Sequence, residues 1–189
     1  MPASDFPWLA VVFAMLTGLG VTRLLSNGAA AMRSRAVAKL DWLPILWSAS
    51  IFLTQLDYWW ALYELKETVP QWTYPAFLQL LISPLALFFA AAMVMPSSEL
   101  KPGESHREIF ESHGHWALIA LFFYHVEGVV ESMRYWHEGV LAKRNVLMMV
   151  FALLPLAAFF GNRLVQYLLV STYLVLSVLL IFFSIDDLI

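Results

Sequence analysis

The chain contains no cysteine. That excludes disulfides, thiolate metal sites and cysteine nucleophiles, and it leaves the redox compartment unmarked. Charge is scarce too: 13% of residues are Asp, Glu, Lys or Arg, against about 25% in soluble domains. The net charge is only −3 and no basic run exists, so nucleic acid has no footing as a partner. The HExxH, GxxxxGK(S/T) and GxSxG signatures are all missing, so nothing assigns a catalytic residue. Heptads, low-complexity tracts and a separate soluble domain are also absent.

What the chain has instead is apolar length. The hydrophobic fraction is 61%, above the roughly 45–50% of soluble domains, and the mean hydropathy is +0.71. A soluble core this apolar would leave too little polar surface to cover it. A span needs about 20 mostly apolar residues. Six stretches qualify, at 8–25, 43–63, 72–95, 116–134, 145–160 and 164–184. The predicted fold is therefore an all-α, six-span integral membrane bundle forming one domain over residues 1–189, in a cell membrane. Pro84 and Pro155 fall inside spans, where neighbouring helices re-satisfy the freed carbonyls, and kinks are expected there.

Residues 1–5 carry an acid and no Lys or Arg. A secretory leader needs a basic start, so the first helix is expected to be retained despite the Ala29-Ala-Ala31 sequence. With the N-terminus outside, Arg23, Arg33, Arg35, Lys39, Lys101, Arg107 and Arg163 lie inside, 7 of the 11 basic residues. Lys66, Arg134, Lys143 and Arg144 lie outside. The first loop holds the strongest cluster, so both termini are expected on the non-cytoplasmic side. The longest polar stretch is 96–115. In it, Ser105 and Glu108 have capping-box spacing ahead of a short helix through Ile109 and Phe110. Two inverted halves of three spans are conceivable, but only Gly18–Arg23 and Gly128–Arg134 resemble each other, and faintly.

The informative polar residues are Asp57 and Glu127, acids inside the second and fourth spans. Such groups usually face a bundle interior and have a partner. The two helices run the same way, placing Asp57 about 6 Å and Glu127 about 3 Å past the midplane on the same side. Gln79, His125, Tyr173 and Ser177 fall at similar depth. The candidate intramembrane site is thus Asp57, Glu127, His125 and Gln79, and two unneutralised carboxylates there would not both stay ionised cheaply. Thr54, Asp57, Ala61 and Glu64 share one stripe of the second span; Tyr124, Glu127, Glu131 and Arg134 share one of the fourth. His125 points about 200° away from Glu127. The plainer reading of the fourth span is a locally neutralised face, with Glu131 and Arg134 paired at its edge.

The remaining features favour structural roles. A haem would need a second histidine from another span, and no other span has one. No cofactor and no metal site is expected: His106, His113 and His115 match no closed zinc spacing. Gly18 and Gly20, with Thr17 and Thr22, form a small-residue face suited to close helix packing. Tyr58, Trp59, Trp60 and Tyr63 suit an interfacial aromatic belt. Two functions follow. One is a non-enzymatic accessory or structural membrane subunit, partnered by the bilayer and by a membrane protein or another copy. The other is a small transporter or proton/cation pathway using Asp57 and Glu127.

Overall fold

The structure is a computed structural model. It describes residues 6–69 and 72–182, without the side chains of 6, 7, 63, 64, 66, 67 and 182. The leader 1–5, the side chains of Tyr63, Glu64 and Lys66, and the Asp186-Asp187 tail lie outside the described residues. The architecture is all-helical, with no strand among the described residues: α1 (Phe6–Ser34), α2 (Trp42–Thr68), α3 (Tyr74–Leu80), α4 (Ile82–Met93), α5 (His106–Ile109), a π-helical turn (Phe110–Gly114), α6 (Trp116–Tyr135), α7 (Lys143–Phe160) and α8 (Arg163–Phe182).

Local chemistry sets these bounds. α1 runs well past the predicted end at Leu25, because the following stretch is alanine-rich, and alanine is the best helix former. Asn27 also anchors it, donating to the Ala91 and Met95 carbonyls at 3.4 and 3.2 Å. α2 starts where the Asp41 carboxylate accepts the Leu43 N–H at 3.1 Å, a side-chain N-cap. Pro44 sits in the first turn, where its missing N–H would have had no helical partner. The two span prolines behave differently. Pro84 has no N–H for the Leu80 carbonyl and its ring crowds that group; α3 ends at Leu80 and α4 begins at Ile82. α7 continues through Pro155, which is buried. Gly103 adopts φ +93° in the long loop, a conformation glycine takes without steric cost. Ser105 caps α5 but accepts from Arg107 N–H at 3.2 Å, one residue short of the capping-box position.

The helices pack in a cycle. α1 lies on α2, α2 on α8, α8 on α7, α7 on α6, α6 on α4 and α4 on α1, while α2 also reaches α4 across the ring. Five segments are long and apolar enough to cross a membrane: 8–34, 74–93, 116–135, 143–160 and 163–181. α2 has the length at 27 residues, but Ser48, Ser50, Gln55, Asp57 and its aromatics lower its apolarity.

The ring has two unlike ends. At the Asp41 end lie the start of α2, the long loop and the start of α8. Arg163 bonds Asp41 at 2.6 Å and Glu111 at 3.3 Å, Tyr167 donates to Asp41 at 3.2 Å, and Arg107 holds Glu111 at 2.8 Å. Beneath this network sits the apolar core: Leu43, Trp47, Leu87, Ala90, Phe110, Ala117, Leu118, Leu121 and Val170 are all nearly or fully buried. The polar groups gather from mid-ring towards the opposite end, marked by Arg134.

Candidate functional site

Three helices build the centre of the polar layer. α6 turns His125 inward, and its Nε2 lies 2.8 Å from the Tyr173 hydroxyl of α8. That hydroxyl lies 2.8 Å from Thr54 of α2, whose own proton goes to the Ser50 carbonyl at 2.9 Å. A hydroxyl has one proton to give, so Tyr173 donates to Thr54 and His125 donates from Nε2. The network thereby assigns the tautomer. Phe151 closes the chain from α7, meeting the Tyr173 ring edge-on at 4.9 Å. Close by, Gln55 is fully buried and donates to the Leu87 carbonyl at 3.2 Å. A Cβ on Gly20 would come within 2.2 Å of that amide nitrogen, so any side chain there would displace the Gln55 amide.

One to two turns further along α6 lies an acidic group. Ser83 of α4 donates to Glu131 at 2.8 Å. Tyr58 and Tyr124 pack edge to face with centroids 6.2 Å apart, and both lie within electrostatic range of Glu131. Glu127 is half-buried beside Gln79 and Arg134, and it also acts on Glu131. Arg134, which is exposed, donates to Gln79 through a short hydrogen bond. The Glu127 Oε1 atom and the Tyr58 and Tyr135 hydroxyls are buried with no hydrogen-bond partner among the described residues.

The four candidate residues therefore divide. Glu127 and Gln79 come together, joined by Arg134. His125 belongs to the separate Tyr173–Thr54 chain. Asp57 is exposed on the outside of α2, within electrostatic range of Tyr124 and Tyr173. The stripe reading explains the difference. The inward line of α2 is Ile51, Thr54, Tyr58, Leu62 and Leu65, all buried, and Asp57 lies about 60° off Thr54 on the outer side. Ser177 returns its hydroxyl to its own helix at the Tyr173 carbonyl.

Other expectations change in detail. The Glu131–Arg134 edge pair is replaced by Glu131–Ser83 inside the ring and Arg134–Gln79 outside it. An i,i+3 charge pair looks local in sequence, and only helix packing brings Ser83 to Glu131. Of the expected aromatic belt, Trp59 and Trp60 are exposed but Tyr58 is buried in the ring. The small-residue face splits: Thr17 and Gly20 point inward, whereas Gly18 and Thr22 point out, Thr22 bonding the Gly18 carbonyl at 2.8 Å. A shallow groove of about 430 Å³ also opens on the outside of α4 and α6, lined wholly by apolar residues such as Phe89, Trp116 and Phe123.

At the Asp41 end the charges are firmly set. Burial pushes the Asp41 carboxyl up, but Arg163, the Leu43 N–H and Tyr167 outweigh it and hold the group below its usual range. His106, buried beside it, is pushed down by burial, with the Asp41 charge opposing. Comparison with family models, curated proteins and solved structures found no match to this chain.

Proposed function

We propose that this is a six-span, non-enzymatic membrane subunit, with α2 as the sixth span and both termini on the non-cytoplasmic side. The observation that carries the reading is the use of the ring's inner polar groups as ties between helices. Asn27, Gln55, Thr54 and Ser83 each tie one helix to another. On the outer surface of α2, Trp59 and Trp60 are 56% and 77% exposed and offer a face on which a helix of another membrane protein would pack.

The test is a photo-crosslinker at Trp60, in otherwise native membranes. The reading expects a crosslinked adduct to another protein at one defined mass. Adducts to lipid alone would sink it.

A second reading, a proton or cation pathway, draws on the unpartnered oxygens of Glu127, Tyr58 and Tyr135. It expects cation or proton flux in proteoliposomes that Glu127→Gln abolishes. Under the subunit reading there is no flux, and in sodium-free buffer Glu127→Gln is neutral or stabilising because it deletes a charge in hydrocarbon.

A further inference from the structure

We propose that the Arg134 end of the ring binds one hard monovalent cation of the sodium class, held by Glu127 and Glu131 with the hydroxyls of Tyr58, Tyr135 and Ser83. The site is the one behind the second reading above, but the inference needs only binding and not movement.

Donor chemistry comes first. Every group offered is oxygen: two carboxylates, two phenolic hydroxyls and one aliphatic hydroxyl. Oxygen-only sets select hard cations, whereas imidazole and thiolate select transition metals. The imidazole inside α6, His125, already bonds Tyr173. Among the described residues no three His, Asp or Glu side chains are grouped so as to hold a metal ion.

Unused capacity comes second. Tyr58 is 5% exposed and its hydroxyl finds no hydrogen-bond partner among the described residues, although Glu131 is within electrostatic range. The Glu127 Oε1 atom and the Tyr135 hydroxyl are buried and unpartnered in the same way, and Tyr135 lies within range of both acids. Buried polar atoms are ordinarily satisfied. Two unpartnered hydroxyls and one unpartnered oxygen of the acid pair itself mark a place for a positive ion.

The charge balance comes third. Arg134 acts on Glu127, and Arg144 acts on Glu131. Neither bonds an acid of the pair in the described geometry: Arg134 donates to Gln79, and Arg144 lies over the Trp136 ring at 4.7 Å. Two guanidiniums beside two carboxylates leave the group near neutral, which opposes a divalent ion more strongly than a monovalent one. The His125–Tyr173–Phe151 cluster and the apolar core pack the side facing the Asp41 end, so the proposal expects entry from the Arg134 end.

The experiment follows thermal unfolding of the full chain in detergent, with sodium chloride exchanged for choline chloride at fixed ionic strength. The proposal expects a saturable rise of about 5–10 °C at a hundredfold excess over the midpoint. Glu131→Gln should abolish the rise. Tyr58→Phe keeps the ring packed and should move the midpoint at least tenfold upwards, so the test survives if Glu131→Gln fails to fold. No sodium-specific rise, an unchanged midpoint in Tyr58→Phe, or a larger rise with calcium than with sodium would each overturn the proposal. Absence of flux in proteoliposomes leaves this binding result standing and sinks only the pathway reading.

Discussion

The two ends of the ring solve the same problem, burying polar groups among helices, in opposite ways. At the Asp41 end, opposite charges meet. Arg163 reaches Asp41 and Glu111 together, and an apolar core lies directly beneath. At the Arg134 end, like charges gather. Glu127 and Glu131 share a turn of α6, and their cations stand aside on Gln79 and Trp136. The first arrangement is locally complete and reads as a clamp on three connections. The second leaves buried oxygens unpartnered among the described residues, and it is there that we place the proposed cation.

The comparison can be broken first at the clamp. Asp41→Ala removes an N-cap worth about 1 kcal/mol and charge-assisted hydrogen bonds worth about 1.5–3 kcal/mol. The expected loss is about 2–4 kcal/mol in detergent unfolding. A loss no greater than that of Arg107→Ala, whose partner is a surface glutamate, would show that the clamp is ornamental. Next is Gly20→Ala. Its Cβ displaces the Gln55 amide from the Leu87 carbonyl, at an expected cost of about 1–3 kcal/mol. Gln55→Leu in the same background should recover part of this, since it removes the polar group that was displaced. Smaller still is Tyr173→Phe, which breaks the bonds to both Thr54 and His125; interhelical hydrogen bonds in membranes average about 0.6 kcal/mol each. Thr54→Val alone removes only the first of these, so it should cost less than Tyr173→Phe and add little to it.

The smallest effect is a pH dependence at the Asp41 end. The folded state holds His106 below 6.5. As pH falls through 6.5, the unfolded chain takes up a proton that the folded one refuses, and stability declines. His106→Gln should flatten that slope. Asp41 is held below 3.8, so its contribution is fully present above 3.8 and is lost only as pH falls through the lower folded value. A decline below 6.5 that persists in His106→Gln would point to another group.

The sequence made the helices legible because apolar length is a local property. Five of the six predicted stretches recur as long apolar helices, and the sixth, α2, recurs as a helix whose composition falls short. Boundaries were less legible. Nothing local marks the extension of α1 to Ser34; its anchor, Asn27, bonds carbonyls more than sixty residues away. Residue count placed His125, Tyr173, Gln79 and Glu127 in one layer; contacts separate them, with His125 bonding Tyr173 mid-ring and Gln79 bonding Arg134 at the far end. Facing was not legible. Asp57 and Thr54 differ by three residues, and packing against α8 and α4 decides which of them turns inward. Glu131 was hidden by Arg134 at i+3, since a local ion pair is the simplest sequence explanation for both.

The central claim is that the polar layer opens only towards the Arg134 end. The natural chain has no cysteine, so single cysteines can be placed at Glu127 and, in the opposite half, at Leu87, with exposed Ser97 as the control for the Asp41 end. A small membrane-impermeant thiol reagent is then added to each side of sealed vesicles. The account predicts that Glu127→Cys reacts only from the side opposite to Ser97→Cys, and that Leu87→Cys reacts from neither. Labelling of Leu87→Cys, or of Glu127→Cys from the side that labels Ser97→Cys, would contradict it.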